Sequence, residues 1–277
     1  MKQPPINALL RGLELEREED DRFVGDPGKG RGRLFGGMVA AQSTMAAQQT
    51  VPEGRLHSLH AYFLRGGAYG EPIRFQVHRI RDGRTYTTRR VIAEQGGEAI
   101  FSLAASFTRP EEGGEHQVEM PDVPPPESLP LWEDLRADFF RGEFPPHVQA
   151  FEARVPEDYD GSEQRFVWLR ARGDLPRDPW VHAAATVYAS DRTLASTAIA
   201  KMGYRRGTVG VTSLDHALWL HREPNFDDWV LYVSESPAGY AARGLAFGAM
   251  YTREGVLFAS VAQEGLIRRL RSQEGSR

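Results

Sequence analysis

The sequence contains no cysteine among its 277 residues. Disulfide bonds, thiolate metal sites and a cysteine nucleophile are therefore excluded. No run approaches 18 apolar residues, so no membrane-spanning helix is expected. The N-terminal segment carries prolines and acids where a signal peptide would be apolar, and the last residues match no peroxisomal or endoplasmic-reticulum signal. From these absences we expect a cytoplasmic protein.

An excess of positive charge is also lacking. The net charge is −4, and residues of both signs are mixed along the chain. This argues against nonspecific binding to nucleic acid, which needs a basic surface, but it leaves small anionic ligands open. Hydrophobic residues make up 40% of the chain and charged residues 26%, which is typical of a globular protein. The length is enough for two compact units.

Two long stretches have the pattern of antiparallel strands. Residues 55–66 and 71–108 alternate apolar and polar side chains, with RDGR and EQGGE as turns. Residues 212–222 and 227–268 repeat this pattern later in the chain. Each stretch therefore predicts a meander of antiparallel strands.

The two stretches also align with each other. Three matches occur in order: IRF (73–75) with VLY (230–232), Tyr86 and Arg89 with Tyr240 and Arg243, and IFSLAAS (100–106) with LFASVAQ (257–263). The first and third matches share an offset of 157 residues, whereas the second needs a three-residue slip at the central turn. Three ordered matches on strands of the same type predict an internal duplication.

An alanine-rich segment precedes the strands in each half, at residues 36–50 and 178–192. Small side chains allow a helix to approach another surface closely, so we predict that each helix lies against the concave face of a curved sheet. An ordinary surface helix with good helix propensity is the alternative.

Prolines concentrate between the two halves. Residues 110–156 hold nine of the 18 prolines, which predicts an irregular linker with a short helix at LWEDLRADFFRGEF. The predicted organisation is an N-terminal unit (1–109), a Pro-rich linker (110–160) and a C-terminal unit (161–277). We expect the two units to pack side by side with their sheets continuous.

Several motifs in order resemble one known family. They are FGGMVAAQ, HSLHAYFLRGG, IRDGRTYTTRRV, YASD, SLDHALWLHR and SVAQEGLIR. The sequence resembles the acyl-CoA thioesterase II family over residues 8–268. The resemblance implies an α+β double hotdog fold, in which two antiparallel sheets each wrap around an Ala-rich helix. It also implies that the protein hydrolyses fatty acyl-CoA to a free fatty acid and coenzyme A, without a metal or a cofactor.

The resemblance also implies three catalytic residues. In the family an Asp, a Thr or Ser, and a Gln position the attacking water, and the matching residues here are Asp191, Ser213 and Gln263. Serine in place of threonine keeps the hydroxyl but loses a methyl group that restricts χ1. A carboxylate in a partly apolar setting has a raised pKa, which suits Asp191 to act as a base, while Ser213 and Gln263 orient the water. The ordinary alternatives are a polar residue near a helix end for Asp191, a solvated strand residue for Ser213 and an ordinary polar strand residue for Gln263.

The duplication predicts how many active sites the chain has. At the offset of 157 residues Ser106 matches Gln263, and the first alanine-rich segment contains no acid. We therefore expect one active site per chain, with no covalent intermediate in the reaction.

A glycine-rich, basic segment runs into the first predicted helix. Backbone N–H groups at a helix N-terminus can stabilise an oxyanion, so Gly37 and Met38 are candidate donors to the thioester carbonyl. The nearby Lys29, Arg31 and Arg33 are candidates for the phosphates of coenzyme A, but a flexible surface loop with solubilising charges is the favoured interpretation of these three residues. The segment is not a P-loop, because its GK is followed by glycine.

The histidines do not predict a metal site. His57 and His60 lie three residues apart and His216 and His221 five apart, and odd spacings on strands put side chains on opposite faces. Two alternative functions stay open: an acyl-thioester hydratase or dehydratase of the same fold, and a non-catalytic acyl-CoA-binding module. The first would need a histidine near the acid, and His182 faces away from it on the helix. Exposed sheet edges predict a homodimer or homotetramer.

Overall fold

The computed structural model describes residues 4–141, 144–159, 165–205 and 207–270. The helices are α1 (Ile6–Leu13), α2 (Gly36–Gln48), α3 (Ala137–Phe140), α4 (Pro146–Gln149), α5 (Pro179–Ser190) and α6 (Leu194–Lys201). Within these described ranges, no helix has the length and apolar character needed to cross a membrane.

The strands form one large antiparallel sheet. They are β1 (Leu15–Glu19), β2 (Arg22–Gly25), β3 (Arg55–Phe63), β4 (Ile73–Asp82), β5 (Tyr86–Gln95), β6 (Glu98–Thr108), β7 (Phe151–Arg154), β8 (Arg165–Ala171), β9 (Val209–Ser213), β10 (Asp215–Leu220), β11 (Val230–Tyr240), β12 (Arg243–Thr252) and β13 (Leu257–Arg269). The order across the sheet is β1-β2-β4-β5-β6-β3-β10-β13-β12-β11-β8-β7, with β9 paired to β13.

This strand order reads symmetrically outward from the junction of β3 and β10. The strands β4, β5 and β6 on one side correspond to β11, β12 and β13 on the other. At the junction β3 pairs antiparallel with β10, from Tyr62 opposite Asp215 to Ser58 opposite Trp219. The predicted continuous sheet is therefore confirmed, and the double hotdog architecture follows from it. The structure also adds β7 within the range that the sequence predicts to be linker.

The two alanine-rich segments form α2 and α5, close to the predicted bounds. The helices pack against each other, and α2 also packs on β4, β5 and β6. Most residues of both helices are buried, because alanines such as Ala41 and Ala184 let the backbones approach closely. At the start of α5 the Asp178 side chain accepts a hydrogen bond from the Trp180 N–H, and Pro179 occupies the first helical position.

The middle match of the predicted duplication is wrong. Tyr240 lies at the tip of the β11–β12 hairpin, where Ala241 and Ala242 have positive φ angles of 48° and 61°, as a two-residue type I′ turn requires. Arg89 lies inside β5 and is fully buried, whereas Arg243 begins β12 and is partly exposed. The three-residue slip is therefore absent.

The match of Ser106 with Gln263 is also wrong, because the turn between β12 and β13 is one residue longer than the turn between β5 and β6. Four residues separate the paired Glu94 and Ala99, whereas five separate the paired Tyr251 and Leu257, so the offset is 157 residues on β5 and 158 residues on β6. Ala105 opposes Arg89 on β5, just as Gln263 opposes Ala246 on β12. The counterpart of Gln263 is therefore Ala105, and a one-residue error of this kind reverses the face on which a strand side chain lies.

Candidate active site

Three polar side chains predicted to act together are brought together by the fold. Asp191 directly follows α5, Ser213 ends β9 and Gln263 lies within β13. The Gln263 Nε2 donates to Asp191 Oδ1 at 2.8 Å and to Ser213 Oγ at 2.6 Å. The Ser213 hydroxyl also hydrogen-bonds to the Asp191 carboxylate. The structure thus joins residues that are up to 72 positions apart in one cluster.

The setting of Asp191 raises the pKa of its carboxyl and makes it a weaker acid. Burial raises the pKa of this carboxyl from 3.8 to about 6, against the opposing effect of hydrogen bonds from Gln263, Gly37 and Ser213. At neutral pH the group is therefore ionised, yet it holds a proton far more readily than an exposed aspartate does. A carboxylate of this kind is suited to general-base catalysis near neutral pH.

His216, for which the sequence predicts no role, packs behind this cluster. The Nδ1 of His216 lies 3.3 Å from Gln263 Oε1, and its Nε2 lies 2.9 Å from Ser190 Oγ. Because Gln263 donates through Nε2 towards Asp191, its Oε1 accepts, so His216 Nδ1–H is the donor. Burial lowers the pKa of His216 to about 4, which keeps the ring neutral. The alternation of β10, which buries His216 and Leu218 on one face, is the sequence signal for this position.

The N-terminus of α2 meets the same cluster. The Gly37 N–H donates to the Asp191 carboxylate. The Met38 N–H instead donates to the carbonyl of Phe35 at 3.1 Å, within the first turn. Of the two predicted oxyanion donors, Gly37 therefore lies at the cluster, and both N–H groups have partners in the structure.

Asp191 and Ser213 line a cleft of about 1050 Å³ between the two halves. One wall is aromatic: the ring of Phe35 stacks on His147 at 4.4 Å and meets Tyr188 edge-on at 5.0 Å. Further apolar side chains line the cleft, namely Leu34, Val39, Phe63, Ile100, Phe101, Phe144, Val211 and Leu266. The cleft can therefore bury a long apolar group beside the carboxylate.

The cleft is also basic. Five arginines line it: Arg31, Arg33, Arg65, Arg192 and Arg268. Arg33 donates from Nη1 to Thr212 Oγ1 at 3.3 Å, across the boundary between the halves. Lys29 is exposed and lies outside the residues that line the cleft. A ligand with an apolar chain and a polyanionic end matches this lining.

His182, the histidine that a hydratase would need near the acid, has a different environment. Its Nδ1 accepts a hydrogen bond from the Phe226 N–H at 3.4 Å, and its side chain is buried on α5. No histidine ring therefore hydrogen-bonds to Asp191 in the part of the chain that the structure describes.

Two family models match this chain. The one described as "Acyl-CoA thioesterase" matches residues 135–266, and the one described as "Acyl-CoA thioesterase N-terminal domain" matches residues 26–108. Together they cover both halves of the sheet and the residues of the cluster.

Similar proteins span nearly the whole chain. Acyl-CoA thioesterase 2 from Haemophilus influenzae is 34% identical, over 95% of this chain and 98% of the relative. Acyl-coenzyme A thioesterase 8 from Homo sapiens is 34% identical, over 92% of this chain and 87% of the relative. Among solved structures, an acyl-CoA thioesterase II from Mycobacterium marinum superimposes with a TM-score of 0.81 at 39% identity, over 95% of this chain and 99% of that one.

Proposed function

Because the chain belongs to the acyl-CoA thioesterase family, we propose that it hydrolyses fatty acyl-CoA to a free fatty acid and coenzyme A in the cleft beside Asp191. One observation carries the proposal: the hydrogen-bonded cluster of Asp191, Ser213 and Gln263 opens onto a cleft that is apolar in one part and basic in another. The lining fits the two ends of an acyl-CoA molecule.

The catalytic roles follow from which atoms donate and accept. A water molecule placed beside Asp191 gives its proton to the carboxylate as its oxygen attacks the thioester carbon. Ser213 and Gln263 orient this water without competing for its proton, since neither side chain is basic; Gln263 does so by holding the Asp191 carboxylate and the Ser213 hydroxyl in place. The tetrahedral intermediate then collapses, the carbon–sulfur bond breaks, and the thiolate of coenzyme A takes up the proton. No group of the protein forms a covalent bond with the acyl group.

The Gly37 N–H is the oxyanion donor that fits this sequence of events. Before the reaction it donates to the ionised Asp191 carboxylate. Once Asp191 has taken a proton it is a weaker acceptor, at the moment when negative charge develops on the thioester oxygen. The N–H can then turn to the oxyanion. Met38 would contribute only if its N–H left the Phe35 carbonyl, so its part stays a prediction.

The lining of the cleft supports one orientation of the substrate. The acyl chain lies along the apolar wall that includes Phe35 and Phe63, and the phosphates of coenzyme A lie near Arg31, Arg33 and Arg268. Shortening Phe63 to alanine is therefore expected to change the preferred chain length.

The decisive experiment measures thiol release from palmitoyl-CoA with a thiol reagent. The wild type should release thiol, and Asp191→Asn should lose this activity because the amide cannot accept the proton of the water. The matched control is Glu264→Gln, which makes the same chemical change one residue from Gln263 but at a carboxylate paired with Arg243. It should keep the activity.

Two results would contradict the proposal. Thiol release by Asp191→Asn at the wild-type rate would remove Asp191 from the mechanism. Binding of acyl-CoA by the wild type without thiol release would make the protein a binding module instead.

The assembly that we propose is a homodimer or homotetramer in the cytoplasm. Large side chains on the outer face of the sheet support association, since Tyr62, Trp219 and Phe247 are all at least one-third exposed near the β3–β10 junction. Light scattering coupled to size-exclusion chromatography tests the number of chains, and cell fractionation tests the compartment. A monomer at micromolar concentration would contradict the assembly.

A further inference from the structure

A second pocket lies at the opposite end of the α2–α5 pair from the catalytic cleft. Its volume is about 380 Å³, and Gln48 at the end of α2 lines it together with Leu56, His57 and Trp180. The catalytic cleft contains the N-terminus of α2 and the residue after α5, whereas this second pocket contains the C-terminus of α2 and the N-terminus of α5. The duplication therefore relates the two sites.

Counted from the first residues of the two helices Gln48 corresponds to Asp191, and counted from their last residues Gln49 does; of the two glutamines, Gln48 lines the second pocket. Gln48 lies twelve residues after Gly36, the first residue of α2, and Asp191 lies twelve residues after Pro179, the first residue of α5. The counterpart of Gln263 is Ala105, as the strand register shows.

The third member of the cluster has a counterpart by the same register. Ser213 on β9 lies opposite Gly265 on β13, and Leu56 on β3 lies opposite Phe107 on β6. The counterpart of Ser213 is therefore Leu56. The second pocket thus keeps a polar group at the helix end but lacks both of its polar neighbours, and no carboxylate occupies the helix end.

Gln48 is consequently left with an unpaired amide. The residue is 1% exposed, and neither its Nε2 nor its Oε1 has a hydrogen-bond partner in the described part of the chain. A buried primary amide without partners is costly, so its retention in a pocket indicates a ligand that supplies them. The Gln48 carboxamide offers N–H donors and a carbonyl acceptor side by side, which matches the acceptor and donor of another amide group.

The rim of the second pocket carries three arginines together with Glu111 and Glu223. Arg55, Arg109 and Arg222 line it. Each pairs with one exposed glutamate, respectively Glu223, Glu53 and Glu115. Exposed pairs of this kind contribute little to stability, so a phosphate can replace the glutamate.

We propose that the second pocket is a non-hydrolytic site for the pantetheine arm of coenzyme A, held by hydrogen bonds between the Gln48 carboxamide and an amide of that arm. The phosphates lie at the arginine rim. The proposal rests on the proposed function, because the duplication assigns to this pocket the ligand class of the catalytic cleft. Without a carboxylate at position 48, or the hydroxyl and amide of the cluster, the bound molecule is not hydrolysed.

Titration calorimetry with coenzyme A tests the number of sites in Asp191→Asn, which retains both pockets. We expect two sites per chain. Adding Gln48→Met should lower the affinity of one site at least tenfold, because methionine fills the same space but forms no amide hydrogen bond. Gln49→Met, the same change one residue further on and outside the pocket lining, should leave two sites. Arg109→Gln, on the exposed rim, should weaken the second site at least threefold and serves if Gln48→Met does not fold.

The outcomes separate this proposal from the proposed function. A single site in Asp191→Asn, or two sites unaffected by Gln48→Met and Arg109→Gln, would overturn the second site while thiol release by the wild type stood. Two sites, one lost in Gln48→Met, with no thiol release by the wild type, would overturn the proposed function and leave the second site. Thiol release by Asp191→Asn that disappears on adding Gln48→Met would show hydrolysis in the second pocket and overturn its non-hydrolytic assignment.

Discussion

Asp191 is held where its charge destabilises the fold. The pKa of this carboxyl is about 6 in the folded chain against an ordinary value of 3.8, so the folded state binds the proton more tightly than the unfolded state does. Its contribution to stability is therefore present at low pH and is lost as the pH rises from about 4 to 6. A site residue that opposes stability in this way is expected where a reaction requires it.

Asp191→Asn should consequently have opposite effects on activity and stability. At pH 8 we expect thiol release to fall by a factor of at least about 100. We expect the free energy of unfolding to rise by about 1–3 kcal/mol, since one pKa unit corresponds to about 1.4 kcal/mol. Urea denaturation measures the second effect. A variant less stable than the wild type at pH 8 would mean that the hydrogen bonds to Asp191 outweigh the cost of burying its charge.

The same pKa predicts the pH dependence of the rate. Because only the ionised carboxylate accepts the proton of water, kcat/KM should rise about tenfold per pH unit below pH 6 and level off above it. The substrate for this measurement is an acyl-pantetheine, which has no titrating phosphate. A profile flat from pH 4.5 to 8 would exclude Asp191 as the base.

His216 predicts a different kinetic effect. It donates to Gln263 Oε1 and thereby fixes the direction in which the amide of Gln263 donates. In His216→Leu the amide can turn, so we expect kcat to fall about tenfold to a hundredfold while KM changes little. A rise in KM as large as the fall in kcat would instead indicate a general loss of structure. A thermal melt of the variant checks that it is folded.

The sequence motifs predict the three members of the cluster but not His216. Asp191, Ser213 and Gln263 each lie in a short motif that can be recognised without knowing what it touches. The role of His216 depends on two partners, Ser190 and Gln263, that lie 26 and 47 residues away. The residues next to His216 in the sequence do not predict these contacts. The alternation along the strand predicts only that His216 is buried.

At the scale of elements, the closeness of α2 and α5 is what brings the helix N-terminus to Asp191. A Cβ atom on Gly37 would lie 2.8 Å from the Tyr188 carbonyl oxygen of α5 and 2.6 Å from the Phe35 ring. Side-chain movement can relieve the second contact, but the first is with backbone. Glycine is therefore required here by the approach of the two helices.

Gly37→Ala should push the two helices apart. We expect a loss of about 1–3 kcal/mol in unfolding free energy, and a fall in kcat/KM because the Gly37 N–H moves away from Asp191. Chemical denaturation and thiol release measure the two effects. Gly113→Ala is the matched control, since a Cβ there meets no atom within 4 Å. Equal behaviour of the two variants would show that the helix packing tolerates the added methyl group.

Alternation and turn residues predict most of the strands, and alanine content predicts the central helices. What the sequence does not reveal is a difference in turn length. Four residues lie between the paired Glu94 and Ala99 and five between the paired Tyr251 and Leu257, so an ungapped offset of 157 residues aligns opposite faces of β6 and β13. The length of such a turn depends on how the two strands pair, and pairing is not visible in one strand alone.

At the scale of the whole molecule, the two halves share one sheet and one core. The principal buried cluster contains residues from both, including Phe75 and Ala41 of the first and Tyr232 and Ala184 of the second. The β3–β10 junction adds backbone pairing along five residues of each strand. Neither half can therefore bury its apolar surface by itself.

We accordingly expect the chain to unfold in a single cooperative transition. Differential scanning calorimetry should give a single peak. Tryptophan fluorescence, through Trp168 and Trp229, follows unfolding of the second half, and hydrogen exchange at α2 follows unfolding of the first half. The two measurements should give the same unfolding midpoint. Two separated transitions would show that the halves are independent domains.

The strand order that mirrors itself about the β3–β10 junction has an evolutionary consequence. In a dimer of identical chains, with one site at each end of the helix pair, every substitution appears in both sites. A change that damages one site therefore damages the other. Joining the copies into one chain releases that constraint. One end can keep the acid that the chemistry requires, while the other is free to lose it and specialise without any cost to turnover.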